Sequence, residues 1–367
     1  MFETDDYPEG DGILDPFTQA SALGKGVNFG DLLEAYPSEG SWTNGLVTEE
    51  SHFALAKAAG FDSVRIPIRF SDHALAESPY TIDETFFLRV DQVINWGLDH
   101  GLCIIVDLHH YLEIQTDPDN HSERFISLWR QIAGRYKDYP DNVYFELMNE
   151  PNDRLTGEVY NELILHSLYN IREIDNHHTV IVSCDSWGNS SSLPQLVLPQ
   201  EEQNCIVTFH YYQDIFCFQG EEWAGIERST TGITWPGPPA VPITPAPGVS
   251  DYVASWINDY NTLPPETNPL APTRIHEDIS AAAAWGQQNG RPMWMGEFCV
   301  HDRTDMASRA GWTKCVREEL ERYNIGWSYF SLLSSLTTTL YDVDTDTWLT
   351  DIMDALGMDT ANLPVLE

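Results

Sequence analysis

The chain has 367 residues, 42% of them hydrophobic, with 19 Lys+Arg against 57 Asp+Glu and a formal net charge of −38. That much apolar material fills a large core, and the length, long for one domain, still fits a single large α/β unit. So acidic a surface argues against nucleic acid or an anionic membrane as partner and leaves a neutral or cationic substrate, with a monomer expected.

Lysine occurs only at Lys25, Lys57, Lys137 and Lys314, so arginine carries most of the positive charge. The plain reading is a soluble acidic protein. The sharper one is adaptation to high salt, where counterions screen self-repulsion. No stretch approaches about 18 continuous apolar residues, so no span is expected. The six cysteines show no CxxC spacing, and four of them (Cys103, Cys184, Cys205 and Cys299) sit in or beside strand-like runs. Free thiols and no structural metal are expected.

In chain order, residues 1–20 open with MFETDDYPEGDG and read as an acidic leader with no positive or apolar signal segment. A mature form that has lost its signal peptide, acting outside the cell, is expected; the cytoplasm is the alternative. A first strand runs from Gly24 to Gly30 into a rim loop through Glu34, and a helix from Thr48 to Ala59. The second strand is Ser63–Ile68. Helix Asp83–His100 carries an apolar stripe through Phe87, Val90 and Ile94 and stops at Gly101. Cys103–Leu108 is the third strand, followed by helix Ser122–Tyr136. The fourth begins at Val143, and helix Gly157–Ile174 leads to the fifth, Thr179–Cys184. Asn204–His210, Pro292–Glu297 and Asn324–Phe330 complete eight. Strands alternating with helices argue for a parallel sheet, and eight units argue for closure into a (β/α)8 barrel spanning residues 21–367. The spacing breaks once, with about eighty residues between the sixth and seventh strands. Within them 231–272 is dense in proline, and 213–272 reads as one long loop after strand six. Its Trp223, Trp235, Tyr252, Trp256 and Tyr260 are expected to form packing clusters or to stack on sugar rings.

Two strands end in glutamates. VYFELMNEP stops at Asn149-Glu150-Pro151, where Pro151 holds Glu150 at the rim. PMWMGEF ends at Glu297, with Gly296 before it to allow close backbone approach. Paired carboxylates on a shared rim suit glycoside hydrolysis, which needs one proton donor and one ionised group.

With VRIP at Arg65, DLHH at His109, FHYY at His210 and GWSYF at Trp327, the sequence from about Gly24 to Gly357 resembles glycoside hydrolase family 5. The resemblance implies a retaining hydrolase with Glu150 as acid/base and Glu297 as nucleophile, about 5–5.5 Å apart. It implies that Arg65 and Tyr212 support the nucleophile and that Asn149 meets the sugar 2-hydroxyl. His109, His110 and His210 would line the rim, with His210 near the acid/base, and Trp327 would lie beneath the reacting sugar. No cofactor and no metal are implied.

VNFGDLLEAYPSEGSW further resembles a bacterial branch holding endoglucanases with lichenase and mannanase side activity. That branch implies sugar contacts at Asp31, which departs from its asparagine, and at Glu34. FCFQGEEW matches it at Gln219, Gly220 and Trp223, with Phe218 in place of the usual histidine. The expected activity is endo-β-1,4-glucanase on cellulose-type or mixed-linkage glucan. Alternatives are an endo-β-1,4-mannanase, a non-catalytic carbohydrate-binding barrel, and a metal-dependent hydrolase suggested only by adjacent His109 and His110.

Overall fold

The computed structural model describes residues 14–333 and 337–366. Eight parallel strands close into a barrel: β1 Lys25–Asn28, β2 Ser63–Ile68, β3 Cys103–Leu108, β4 Val143–Glu146, β5 Val180–Ser183, β6 Cys205–His210, β7 Met293–Glu297 and β8 Gly326–Tyr329. β8 returns to β1 through the pairs Lys25↔Trp327 and Val27↔Tyr329, which removes both sheet edges. Each strand's ends lie within two residues of those expected from the sequence. Helices Glu50–Ala58, Glu84–Asp99, Pro118–Tyr136 and Gly157–Arg172 match four expected helices, the third starting earlier because Pro118 serves as its first residue. Helices Pro272–Asn289 and Met306–Arg322 cover the strands on the far side.

Alternation along the strands sorts the interior into layers. Ile105, Tyr144, Ile181, Ile206 and Trp294 form a dry layer inside the barrel. Two residues further along β3 and β4, on the same face, come Asp107 and Glu146. Residues of opposite parity, such as Val106, Phe145, Val207 and Trp327, join the larger core between strands and helices.

β7 breaks the alternation. Its register against β6 shifts between Phe209 and His210, so that His210 pairs with Glu297 while Phe209 pairs with Met295. Gly296 is the residue skipped. A Cβ there would sit 2.9 Å from Thr208 Oγ1 and 3.0 Å from His210 Nε2, so glycine is required for the bulge that re-aims Glu297.

Two expectations need correction. The segment read as leader folds in part: Pro16–Leu23 is a helix, capped by Asp15 and started by Pro16. Its Ala20 and Leu23 close the bottom of the barrel against the dry layer. Residues 1–13 lie outside the described residues. The long loop at 213–272 also contains helix Asp251–Thr262, capped by Ser250. Around it, side-chain amides replace strand partners. Asn261 bonds both the N–H and the C=O of Ile243, at 2.9 and 2.8 Å, and Gln219 does the same for Ile233. Backbone groups that proline-rich chain cannot pair are satisfied in this way. Trp256 stacks on buried Tyr260 with ring centroids 5.7 Å apart, a packing pair. All six cysteines are unpaired. Among the described residues no helix is long and apolar enough to cross a membrane.

The bottom plug can be weighed. Leu23 is fully buried, so Leu23→Ala is expected to cost about 2–5 kcal/mol. Urea unfolding of the variant checks this, and an unchanged midpoint would show that the helix does not close the barrel in solution.

Candidate active site

Arg65 lies at the centre of the barrel mouth, wholly buried. Nε donates to Glu146 Oε2 at 2.7 Å and Nη2 to Glu146 Oε1 at 2.8 Å. Nη1 donates to Asn28 Oδ1 at 3.0 Å and to Glu297 Oε1 at 2.6 Å, and Nη2 also to Asn149 Oδ1 at 2.7 Å. Asp107 Oδ2 lies 3.0 Å from Nη2. One cation therefore faces three carboxyl groups from β3, β4 and β7.

Glu297 and Glu150 flank a cleft of about 910 Å³ on the carboxyl-end face of the barrel. Oxygens of the two carboxyls and the Nδ1 of His210 lie within 4.8 Å of one another. His210 Nδ1 is 2.8 Å from Glu150 Oε1 and 3.8 Å from Glu297 Oε2. The Tyr212 hydroxyl donates to Glu297 Oε2 at 3.0 Å.

This surround drives the two carboxyls apart. Burial alone would raise Glu297, but the charges of His210 and Arg65 outweigh it and hold that carboxyl down, at about 2. Burial also raises Glu150. There His210 opposes the rise without cancelling it, and the Glu297 charge adds to it, so Glu150 stays above its usual range. His210 is raised because the two carboxylates overcome the effect of burial. One group is thus kept ionised while its neighbour keeps a proton into a higher pH range, the arrangement required of an acid and a nucleophile. Oxygens that approach within 4.8 Å put both carboxyls within reach of one sugar carbon and its leaving oxygen, as a retaining pair requires.

The other sequence candidates fall into place unevenly. Asn149 lines the cleft, and Arg65 occupies its carbonyl oxygen, which leaves Nδ2 for a ligand. His109 and His110 line the cleft with their rings edge to face, centroids 4.4 Å apart. Asp107 bonds His109 Nδ1, and burial keeps both imidazoles neutral, His110 with a pKa near about 2. Glu34 and Asp31 reach the cleft wall. The Glu34 carboxylate accepts the backbone N–H groups of Asp31 and of Leu32, the latter at 2.9 Å, so it also fixes its own loop. Trp223 is 67% exposed on the wall, beside Phe218 at 5.4 Å. Gln219 is buried and serves the loop described above.

Trp327 is a correction. It is 1% exposed and sits behind β8, edge-on to Phe298 at 5.8 Å, away from the cleft. Its neighbour Ser328 points inward and accepts a bond from Asn28 at 3.0 Å, so Trp327 has the wrong parity to face the site. Phe330, just past the strand, supplies the aromatic wall instead.

Trp42, Trp187 and His301 also line the cleft and were not expected. Trp187 is 60% exposed on a backbone with φ +60°, where its N–H reaches Pro151 O at 3.1 Å. Among the described residues, Glu150, His210 and Glu297 are the one trio close enough to hold a cation. Arg65 bonded to Glu297 already supplies a positive charge there.

A family model described as Cellulase (glycosyl hydrolase family 5) matches residues 22–335. Endoglucanase H of Acetivibrio thermocellus is 31% identical over 94% of this chain and 34% of its own length. Endoglucanase C of the same species is 25% identical over 83% of this chain and 90% of its own. The chain spans about a third to a half of several curated relatives that it matches. Among solved structures, endoglucanase Cel5A from the hyperthermophilic Thermotoga maritima is 39% identical, with a TM-score of 0.79 over 94% of this chain and 100% of that one. The same Cel5A in complex with mannotriose substrate gives 38%, 0.79, 93% and 100%.

Proposed function

The chain belongs to the cellulase family, glycosyl hydrolase family 5, and from that premise we propose that it is an endo-acting β-1,4-glucanase that works by double displacement with retention of configuration. What carries the reading is the pair Glu150 and Glu297, with oxygens within 4.8 Å of one another in an open cleft and opposite shifts in acidity.

Glu297 attacks the anomeric carbon as Glu150 passes its proton to the departing glycosidic oxygen. A glycosyl ester on Glu297 results. Glu150, now ionised, takes a proton from water as the water attacks that carbon, which frees Glu297 and reprotonates Glu150. Arg65 and Tyr212 bind the Glu297 oxygens and make the group a better leaving carboxylate in the second step. His210 shares hydrogen bonding with Glu150 and keeps it aimed. The Nδ2 of Asn149 meets the sugar 2-hydroxyl, an interaction that strengthens in the transition state. Phe330, Trp223 and Trp42 offer flat apolar faces to the C–H faces of successive sugars.

A second reading, an endo-β-1,4-mannanase on the same groups, is favoured by the mannotriose complex of the Thermotoga maritima relative. A charge of −38 supports salt adaptation.

Glu297→Ala is expected to abolish turnover with the fold intact by circular dichroism, and appreciable residual activity would remove it as nucleophile. Glu150→Gln should slow poor leaving groups far more than activated aryl glycosides. It should also erase the alkaline limb of kcat/KM, because activity is lost as pH rises through the raised Glu150 pKa. Equal impairment of both substrate types would contradict the acid role. Initial rates on cellulosic, mixed-linkage and mannan substrates, each with and without molar salt, settle the rest. Glucan preference with activity held in salt is expected; faster mannan cleavage would favour the second reading, and steady decline with salt would end the salt proposal.

A further inference from the structure

Glu146 touches neither the cleft nor either carboxyl of the reacting pair, yet it binds the guanidinium on which Glu297 depends. A guanidinium has five N–H donors, and in Arg65 all five are committed. Two go to Glu146, at 2.7 and 2.8 Å. The other three go singly to Asn28, Glu297 and Asn149. Glu146 is thus the only bidentate partner. Two parallel bonds to a planar group fix its position and its rotation, which a single bond leaves free. With the Nε–Nη2 edge held, Nη1 can only face Glu297 and the remaining Nη2 hydrogen can only face Asn149. Both Glu146 oxygens accept from the guanidinium, although burial, opposed by Arg65, pushes this carboxyl up to about 7. Asp107, 3.0 Å from Nη2, has no N–H left to receive, and its Oδ1 has no partner.

We infer that Glu146 is a positioning residue for the reaction: by gripping one edge of Arg65 it aims the other at Glu297 and Asn149, and so fixes the nucleophile and the 2-hydroxyl contact as one unit. This rests on Glu297 being the nucleophile. The plain alternative is that Glu146 only neutralises a buried cation.

The two differ in the sign of a pH shift. Glu297 is faced by Arg65 from β2, Asp107 from β3, His109 and His110 just beyond it, Glu150 beyond β4, His210 from β6, Tyr212 just after β6, and Cys299 beyond β7. Glu146 is faced by Arg65, Asp107, His210 and, from helix Gly157–Arg172, Tyr160. If Glu146 only neutralises, its loss removes a negative charge while the guanidinium stays, and Glu297 titrates at the same pH or lower. If it positions, the guanidinium swings off Glu297, and the carboxylate loses its nearest cation and titrates higher.

The test is kcat/KM against pH for Glu146→Gln on a soluble β-glucan. The carboxamide keeps the shape but sets an N–H against an N–H. The acidic limb is expected to move up by about one pH unit, with kcat down about tenfold or more and KM changed less. A limb that is unmoved or moves down overturns the inference. Glu146→Asp, one methylene shorter with its charge kept, should fall between wild type and Gln, and it carries the same limb test if Gln fails to fold. In an Arg65→Lys background, Glu146→Gln should add little, and fully additive losses would overturn action through Arg65. Activity surviving in Glu297→Ala would defeat the underlying mechanism. A silent Glu146→Gln beside a dead Glu297→Ala would defeat only this inference.

Discussion

A single guanidinium buried among three carboxyl groups is the constraint on which the mouth of this barrel depends. Arg65 cannot release its proton and cannot reach water, so its five donors must be met from strands that converge on it. Asn28, Glu146, Asn149 and Glu297 meet them from β1, from β4, from the residues just beyond it and from β7. Barrel closure is what brings those strands together. The same closure places Ile105, Tyr144 and Trp294 directly beneath, so the polar layer rests on a dry one and its bonds are not diluted by solvent. Folding energetics and site electrostatics share this one arrangement.

The register shift in β7 has a comparable role. A strand with regular alternation would turn Gly296 inward and Glu297 toward the helices. The shift skips Gly296, which alone has no Cβ to strike Thr208 and His210, and pairs His210 with Glu297 at the rim. A backbone irregularity thereby sets the distance between the two carboxyls, because His210 lies between them and contacts both.

The repeating architecture was open to reading because buried parallel strands are short apolar runs that stop at polar rim residues. Glu150 and Glu297 stood out as carboxylates at such stops. Glu146 and Asp107 did not, since a carboxylate inside an apolar run has no meaning in the sequence until the partner from another strand is known. Trp327 was misplaced for a different reason. Period-two counting from Ser328 turns it outward, whereas the GWSYF resemblance rests on the tryptophan itself and carries no information on strand parity. The helices Pro16–Leu23 and Asp251–Thr262 were hidden by their surroundings, an acidic lead-in for one and proline-dense chain for the other. In both, the start signal, Asp15 with Pro16 and Ser250 with Asp251, was present and local.

The acidic surface and the acidic site obey different rules. A charge of −38 spread over solvated residues is screened beyond a Debye length, about 8 Å at physiological salt. The carboxyls around Arg65 are shielded from that screening by burial, and the acidity of Glu297 follows its immediate neighbours, His210 and Arg65. Salt that alters the outer charge therefore leaves the inner arrangement intact, so the surface could become highly acidic without disturbing the difference in acidity that the chemistry requires. The aromatic cleft wall adds to this separation, since the faces of Phe330 and Trp223 carry no charge for salt to screen.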